Sequence, residues 1–160
     1  MKHFWTLIVV LTFVGCNYNS ENSAITDFIP NDTFAILNVA NLESTSSNLV
    51  NNDFLQKFSN SKVYNELTTK LDNLNYLKPS ENLLVCLSKT SNDSLHYTLI
   101  TKYNTDLFKV DSLPNHKTDT LKFKKHKLFK TTINNRVTYS TVHDSIFIAS
   151  SSKAILEASL

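Results

Sequence analysis

The side chains able to do chemistry are few, and their spacing gathers none of them into a known constellation. Beyond residue 26 the chain holds one cysteine, Cys86, four histidines, His96, His116, His126 and His143, and nine aspartates. No His-x-x-x-His or Glu-x-x-His spacing occurs, and no cysteine pair joins the histidines, so neither zinc motif is present and no metal or cofactor is expected. His143-Asp144 has the composition of a base and its orienting carboxylate, but adjacent residues in a tight turn are expected to diverge. Cys86 lies within the apolar run Leu83-Leu84-Val85-Cys86-Leu87, so it reads as a small buried hydrophobe rather than an exposed nucleophile. Most aspartates fall in turns or at helix ends, where Asp is at home for structural reasons. Gly15 is the only glycine, which removes phosphate-cradling loops, Rossmann turns and nucleophile elbows from consideration. The segment carries no catalytic motif, and the reading leans away from an enzyme.

One cluster does have a chemical character. Lys122, Lys124, Lys125, Lys127 and Lys130 interleave with Phe123 and Phe129. Lysines between aromatics can contact a polyanion, whether single-stranded nucleic acid, an acidic glycan or anionic lipid headgroups. Against this, lysines also protect an edge strand from pairing with other chains. The whole chain has 16 basic and 14 acidic residues, and Arg136 is its one arginine. That balance leaves no electrostatic footprint for nucleic acid, which is not expected as a partner. Asp93-Ser94-Leu95, Asp111-Ser112-Leu113, Asp119-Thr120-Leu121 and Asp144-Ser145-Ile146 resemble the O-glycosylation site of exported Bacteroidota proteins, and the same pattern describes a turn entering a strand.

The beginning of the chain is more specific. Met1-Lys2-His3 gives a short positive start, and Phe4 to Val14 is an apolar run broken only by Thr6 and Thr12. A membrane-spanning helix needs roughly 20 apolar residues, so this run fits the core of an export signal instead. A simple secretory cut after Gly15 requires a small residue at position −3, where Phe13 stands. Phe13-Val14-Gly15-Cys16 instead resembles the lipobox of bacterial lipoproteins, whose cysteine receives diacylglycerol on sulfur, with Phe13 in place of the usual Leu. The resemblance implies a signal peptide over residues 1–15, a lipidated Cys16 with a polar tether over 16–26, and a folded domain over 27–160. It also places the protein in the cell envelope, lipid-anchored at the outer membrane.

The domain must be built from the remaining pattern. Hydrophobic residues make up 41% of the chain and aromatics 11%, enough for one domain with its own core. Phe34–Val39 reads as a strand. Val50, Phe54 and Phe58 recur at helical spacing, and Ser61 can cap a second helix striped by Tyr64, Leu67, Leu71 and Leu74. Asn82–Ser88 and Ser94–Thr101 read as a hairpin, residues around Leu107-Phe108 as a short helix, and the chain from Thr120 as a meander. Its turns are expected at Asn134-Asn135 and His143-Asp144, with asparagine, present nineteen times, replacing glycine. Ser152 caps a last helix over 153–158. The expected fold class is α+β, a mainly antiparallel sheet with helices packed on one face. Because this helix stops at Leu160 without a polar tail, the chain is expected to continue beyond it.

The leader, the segment Ile29–Val39, Asn52–Leu55 and the stretches Tyr139–Val142 and Ser150–Lys153 resemble the N-terminal module of uncharacterised envelope lipoproteins of flavobacteria-type organisms. The resemblance spans nearly the whole chain and implies an intact protein several times longer, with no biochemical activity following from it. The function expected for this segment is a membrane-anchored, non-catalytic binding or assembly module, with an envelope protein or glycan as partner. Some such proteins bear a ribonuclease H-type label, which leaves a lipid-anchored hydrolase, its active site outside this segment, as the alternative. The acidic metal cluster of that chemistry is not identifiable here.

Overall fold

The structure is a computed structural model describing residues 23–42, 65, 69, 76–90, 94–108 and 115–160. A 3-10 turn (Ile25–Phe28) leads into β1 (Thr33–Val39), followed by β2 (Leu83–Lys89), β3 (Leu95–Lys102), β4 (His116–Phe123), β5 (His126–Ile133), β6 (Arg136–His143), β7 (Ile146–Ser150) and helix α1 (Lys153–Ala158). The strands form one sheet in the order β1-β2-β3-β7-β6-β5-β4, and every neighbouring pair is antiparallel. A three-stranded unit and a four-stranded meander thus meet at the β3–β7 seam.

This corrects the α+β expectation. Among the described residues the domain is nearly all-β, and the six-residue α1 is the one α-helix described along its whole length. The reason lies in the sequence of the second half. Alternating Thr, Val, Ile and aromatic residues separated by two-residue turns favour consecutive hairpins, and these extend the sheet to seven strands. The helical stripes read at 50–58 and 61–74 fall outside the described residues, apart from Asn65 and Thr69, whose backbones are helical. The short helix expected at Leu107-Phe108 is also replaced. Leu107 is fully buried and its carbonyl accepts from Lys78 N–H at 2.7 Å, while Phe108 forms an isolated antiparallel bridge with Leu77.

The meander turns explain how a chain without glycine in its domain makes tight hairpins. Asn134 and Asn135 have φ of 48° and 62°, and Asp144 and Ser145 have 46° and 63°. Left-handed backbone at both central residues matches the right-handed twist of the strands that flank it, and Asn and Asp accept this conformation more readily than other side chains. The second turn is Asp144-Ser145, one residue later than the expected His143-Asp144. At Lys124-Lys125, joining β4 to β5, Lys124 alone is left-handed, with φ of 50°.

Both faces of the sheet are apolar, so each carries its own core. On one face Leu84, Cys86, Ile100, Leu128, Ile146 and Ile148 pack under Phe28 of the 3-10 turn and Leu156 of α1. The N-terminal cap of α1 is Ser152, whose hydroxyl accepts from Ile155 N–H, as its position predicts. On the opposite face Val85, Leu87, Leu95, Tyr97 and Leu99 pack against Leu77 and Leu107. Two buried hydroxyls are chained together, Thr98 Oγ1 donating to Ser150 Oγ at 3.1 Å, which donates to Tyr97 O at 3.0 Å, whereas the buried Ser88 Oγ has no partner among the described residues. Cys86 is fully buried, as expected, and desolvation pushes its thiol up to about 11.

Register fixes which features share an end of the sheet. Phe123 faces His126 across its hairpin, His143 faces Ile146, and Lys102 also faces Ile146. The Lys124-Lys125 and Asp144-Ser145 turns therefore lie at one end, with Tyr103 N–H donating to Ser145 O at 2.8 Å. The Asn134-Asn135 turn lies at the other.

Candidate functional site

Over β3, β7, β6 and β5, the second of these faces opens into a groove of about 490 Å³. Tyr97, Leu99, Phe147, Ala149, Val142 and Phe129 form its floor, because alternate residues of neighbouring strands project to one side. Tyr76, Leu77 and Phe108 wall one flank, and the Phe108 ring meets that of Phe147 edge-on at 5.3 Å. Hydroxyls line the other: Tyr97 Oη lies 3.2 Å from Thr138 Oγ1, and Thr118 Oγ1 lies 3.2 Å from Thr131 Oγ1. Near this rim Arg136 Nη1 donates to Thr69 O at 2.7 Å. The size falls within the range of small-molecule pockets, and so does the pattern of an apolar interior with a few convergent polar groups.

The groove was not singled out from sequence, although its signal was present. Phe129, Thr131 and Ile133 on β5, and Thr138, Ser140 and Val142 on β6, occupy alternate positions and keep one face mixed where a packed face would be uniformly aliphatic. Val142 remains 43% exposed within it.

At the shared end of the sheet the histidines are closer than their sequence separation suggests. The His126 and His143 rings meet edge-on at 4.8 Å, and Phe28 meets His143 likewise at 5.7 Å. His143 Nε2 lies 3.5 Å from Asp144 Oδ2, so the two neighbours converge where divergence was expected. Ser23 Oγ donates to the same carboxylate oxygen at 2.9 Å. A nucleophilic serine must contact the base, and here Ser23 contacts the carboxylate, so the arrangement does not activate a hydroxyl. Among the described residues no group of three His, Cys, Asp or Glu side chains is placed to hold a metal ion.

Partial burial holds the His126 imidazole below its ordinary value, with His143, Lys125 and Lys124 adding to the effect and Asp144 opposing it. A base whose folded value is lowered favours the neutral native form. It contributes stability above the unfolded value near ~6.5 and loses it as pH falls through that point. The urea midpoint should therefore drop between about pH 7 and pH 5, and His126→Gln should flatten that slope. An unchanged slope in the variant would assign the acid sensitivity elsewhere.

The structure divides the lysine cluster. Lys122 stands directly opposite Lys127, both on the groove side of the outer hairpin, and Lys124-Lys125 form its turn. Lys130 stands between Asp119 and Tyr139 on the opposite face, apart from the other four. Lys124 Nζ lies 4.8 Å from the Phe123 ring centre and Lys127 Nζ lies 5.0 Å from that of Phe129. Cys16 and the leader lie outside the described residues. No helix among the described residues is long and apolar enough to cross a membrane. The chain matches no protein-family model, no curated protein and no solved structure.

Proposed function

We propose that this chain is a lipid-anchored envelope lipoprotein whose sheet is a non-catalytic binding module, and that the groove receives the acyl chain of a single-chain amphiphile. The observation that carries the reading is the groove itself, an aromatic and aliphatic floor with hydroxyls along one rim. An acyl chain gains about 0.8 kcal/mol for each buried CH₂, while the Tyr97–Thr138 and Thr118–Thr131 hydroxyl pairs supply donors and acceptors for a polar head. The export leader and the lipobox-like Cys16 support the envelope setting, where such amphiphiles reside. The flavobacteria-type lipoprotein family it resembles fits the same reading.

The test uses the mature chain with Cys16→Ser, which needs no detergent. A fluorescent fatty acid should bind saturably with a stoichiometry near one. Thr138→Trp, which fills the groove, and Val142→Asp, which places a charge in it, should each weaken binding by about tenfold or more. Non-saturable binding, or saturable binding that neither variant disturbs, would remove the groove as the site.

A further inference from the structure

We infer that the basic end of the sheet is a docking surface for the anionic lipid headgroups of the membrane that holds Cys16, so that the anchor and the lysines fix the orientation of the domain together. The inference rests on the lipoprotein reading and deepens it.

Three observations converge. First, Lys122 and Lys127 are directly opposed cross-strand neighbours, and like charges in that position destabilise a sheet. Lys124 and Lys125 extend the same patch, and all four are exposed. Among the described residues none of the four is paired with a carboxylate, whereas Lys102, Lys117 and Lys153 at other positions each have one. An anionic surface would relieve the repulsion that the fold leaves in place. Second, Lys124 lies over Phe123 on one face of the hairpin and Lys127 over Phe129 on the other, so both faces near its tip combine aromatic and basic groups, as suits a lipid interface.

Third, topology brings the tether to this end. Ser23 is bonded to Asp144, in the turn beside that of Lys124-Lys125. Asp144 in turn lies against His143, whose ring meets that of His126, next in sequence to Lys125. Six residues separate Cys16 from Ser23. At ~3.6 Å per residue even a fully extended tether spans at most about 25 Å. The tether to the lipidated cysteine therefore starts from the lysine end of the sheet, with Cys16 within about 25 Å of Ser23. Electrostatic attraction to a headgroup layer acts over roughly a Debye length, so this proximity is what makes four lysines effective.

Two measurements test the surface separately from the anchor. The mature chain with Cys16→Ser should sediment with phosphatidylglycerol-containing vesicles and not with phosphatidylcholine vesicles, and binding should fall as salt rises. Removing Lys122, Lys124, Lys125 and Lys127 as Lys122→Ser, Lys124→Asn, Lys125→Asn and Lys127→Ser should cost about fivefold per lysine. Lys89→Ser with Lys117→Ser, which lowers the charge at the other end, should change little. In reconstituted lipidated protein, a fluorophore on Lys125→Cys should be quenched by headgroup-labelled lipid, and one on Asn135→Cys should not. Equal loss from either end of the sheet, equal quenching at both positions, or tighter binding to a soluble acidic polysaccharide than to the vesicles would overturn the proposal. Failure of the lipoprotein reading shows differently, as absence of lipid mass on Cys16, and leaves the vesicle measurement intact.

Discussion

Cys16→Ser should remove the lipid mass from the protein and release it from the outer-membrane fraction, the largest change expected of any single substitution in the chain. A single acyl chain holds a protein only marginally, and two or more hold it stably, because each buried CH₂ adds about 0.8 kcal/mol. Nothing else proposed here approaches that total. Under the proposed docking, the basic end of the sheet would contribute on the order of 1 kcal/mol per lysine against an anionic surface, enough to orient an anchored domain but not to hold it. Loss of Cys16 should therefore be epistatic: with the anchor gone, lysine substitutions should have little further effect on retention in cells. Intact-mass analysis and fractionation of both chains check this. Equal masses, apart from the serine-for-cysteine difference, would end the lipoprotein reading.

The largest effect on stability should come from Ile148→Ala. Ile148 lies on β7 between Ile100 of β3 and Thr141 of β6, at the seam that joins the two halves of the sheet, and it is fully buried. Its removal leaves a cavity under Phe28 and Leu156, which rigid strands on both sides cannot collapse. Large-to-small changes at such sites cost about 2–5 kcal/mol, or roughly 10 °C in Tm for a domain of this size. Val142→Ala, on the partly open groove floor, should cost less than about 1 kcal/mol. Urea unfolding of both variants decides the matter: comparable losses would mean that the groove face contributes as much to stability as the face under α1.

What sequence could reveal followed from the range of the interactions involved. Hairpin strands and the Ser152 cap depend on neighbours a few residues apart, and most fall within one or two positions of the sequence reading, whereas β4 begins at His116, four residues before the meander read from Thr120. The Asn134-Asn135 turn was legible because its left-handed backbone demands a particular residue type. The overall class was not. Whether helices or loops cover a sheet depends on long-range packing, and the stripes at 50–58 and 61–74 lie outside the described residues apart from Asn65 and Thr69. The lysines were legible as a cluster, but their division was not, since strand parity puts Lys130 on the face opposite Lys122 and Lys127. The groove and the convergence of His126, His143 and Asp144 came from β5–β6 and β6–β7 register, which no local pattern specifies.

The two cores, one on each side of a single sheet, make specificity and foldedness separable. Substitutions more than about 7–10 Å apart with no shared partners usually add independently, and the backbone layer keeps groove residues such as Thr131, Thr138 and Val142 from touching Cys86, Ile100 or Ile148. Changes on the groove side alone would therefore alter what the groove can admit. The opposite side would stay free to conserve the scaffold, with Ile148 as its keystone.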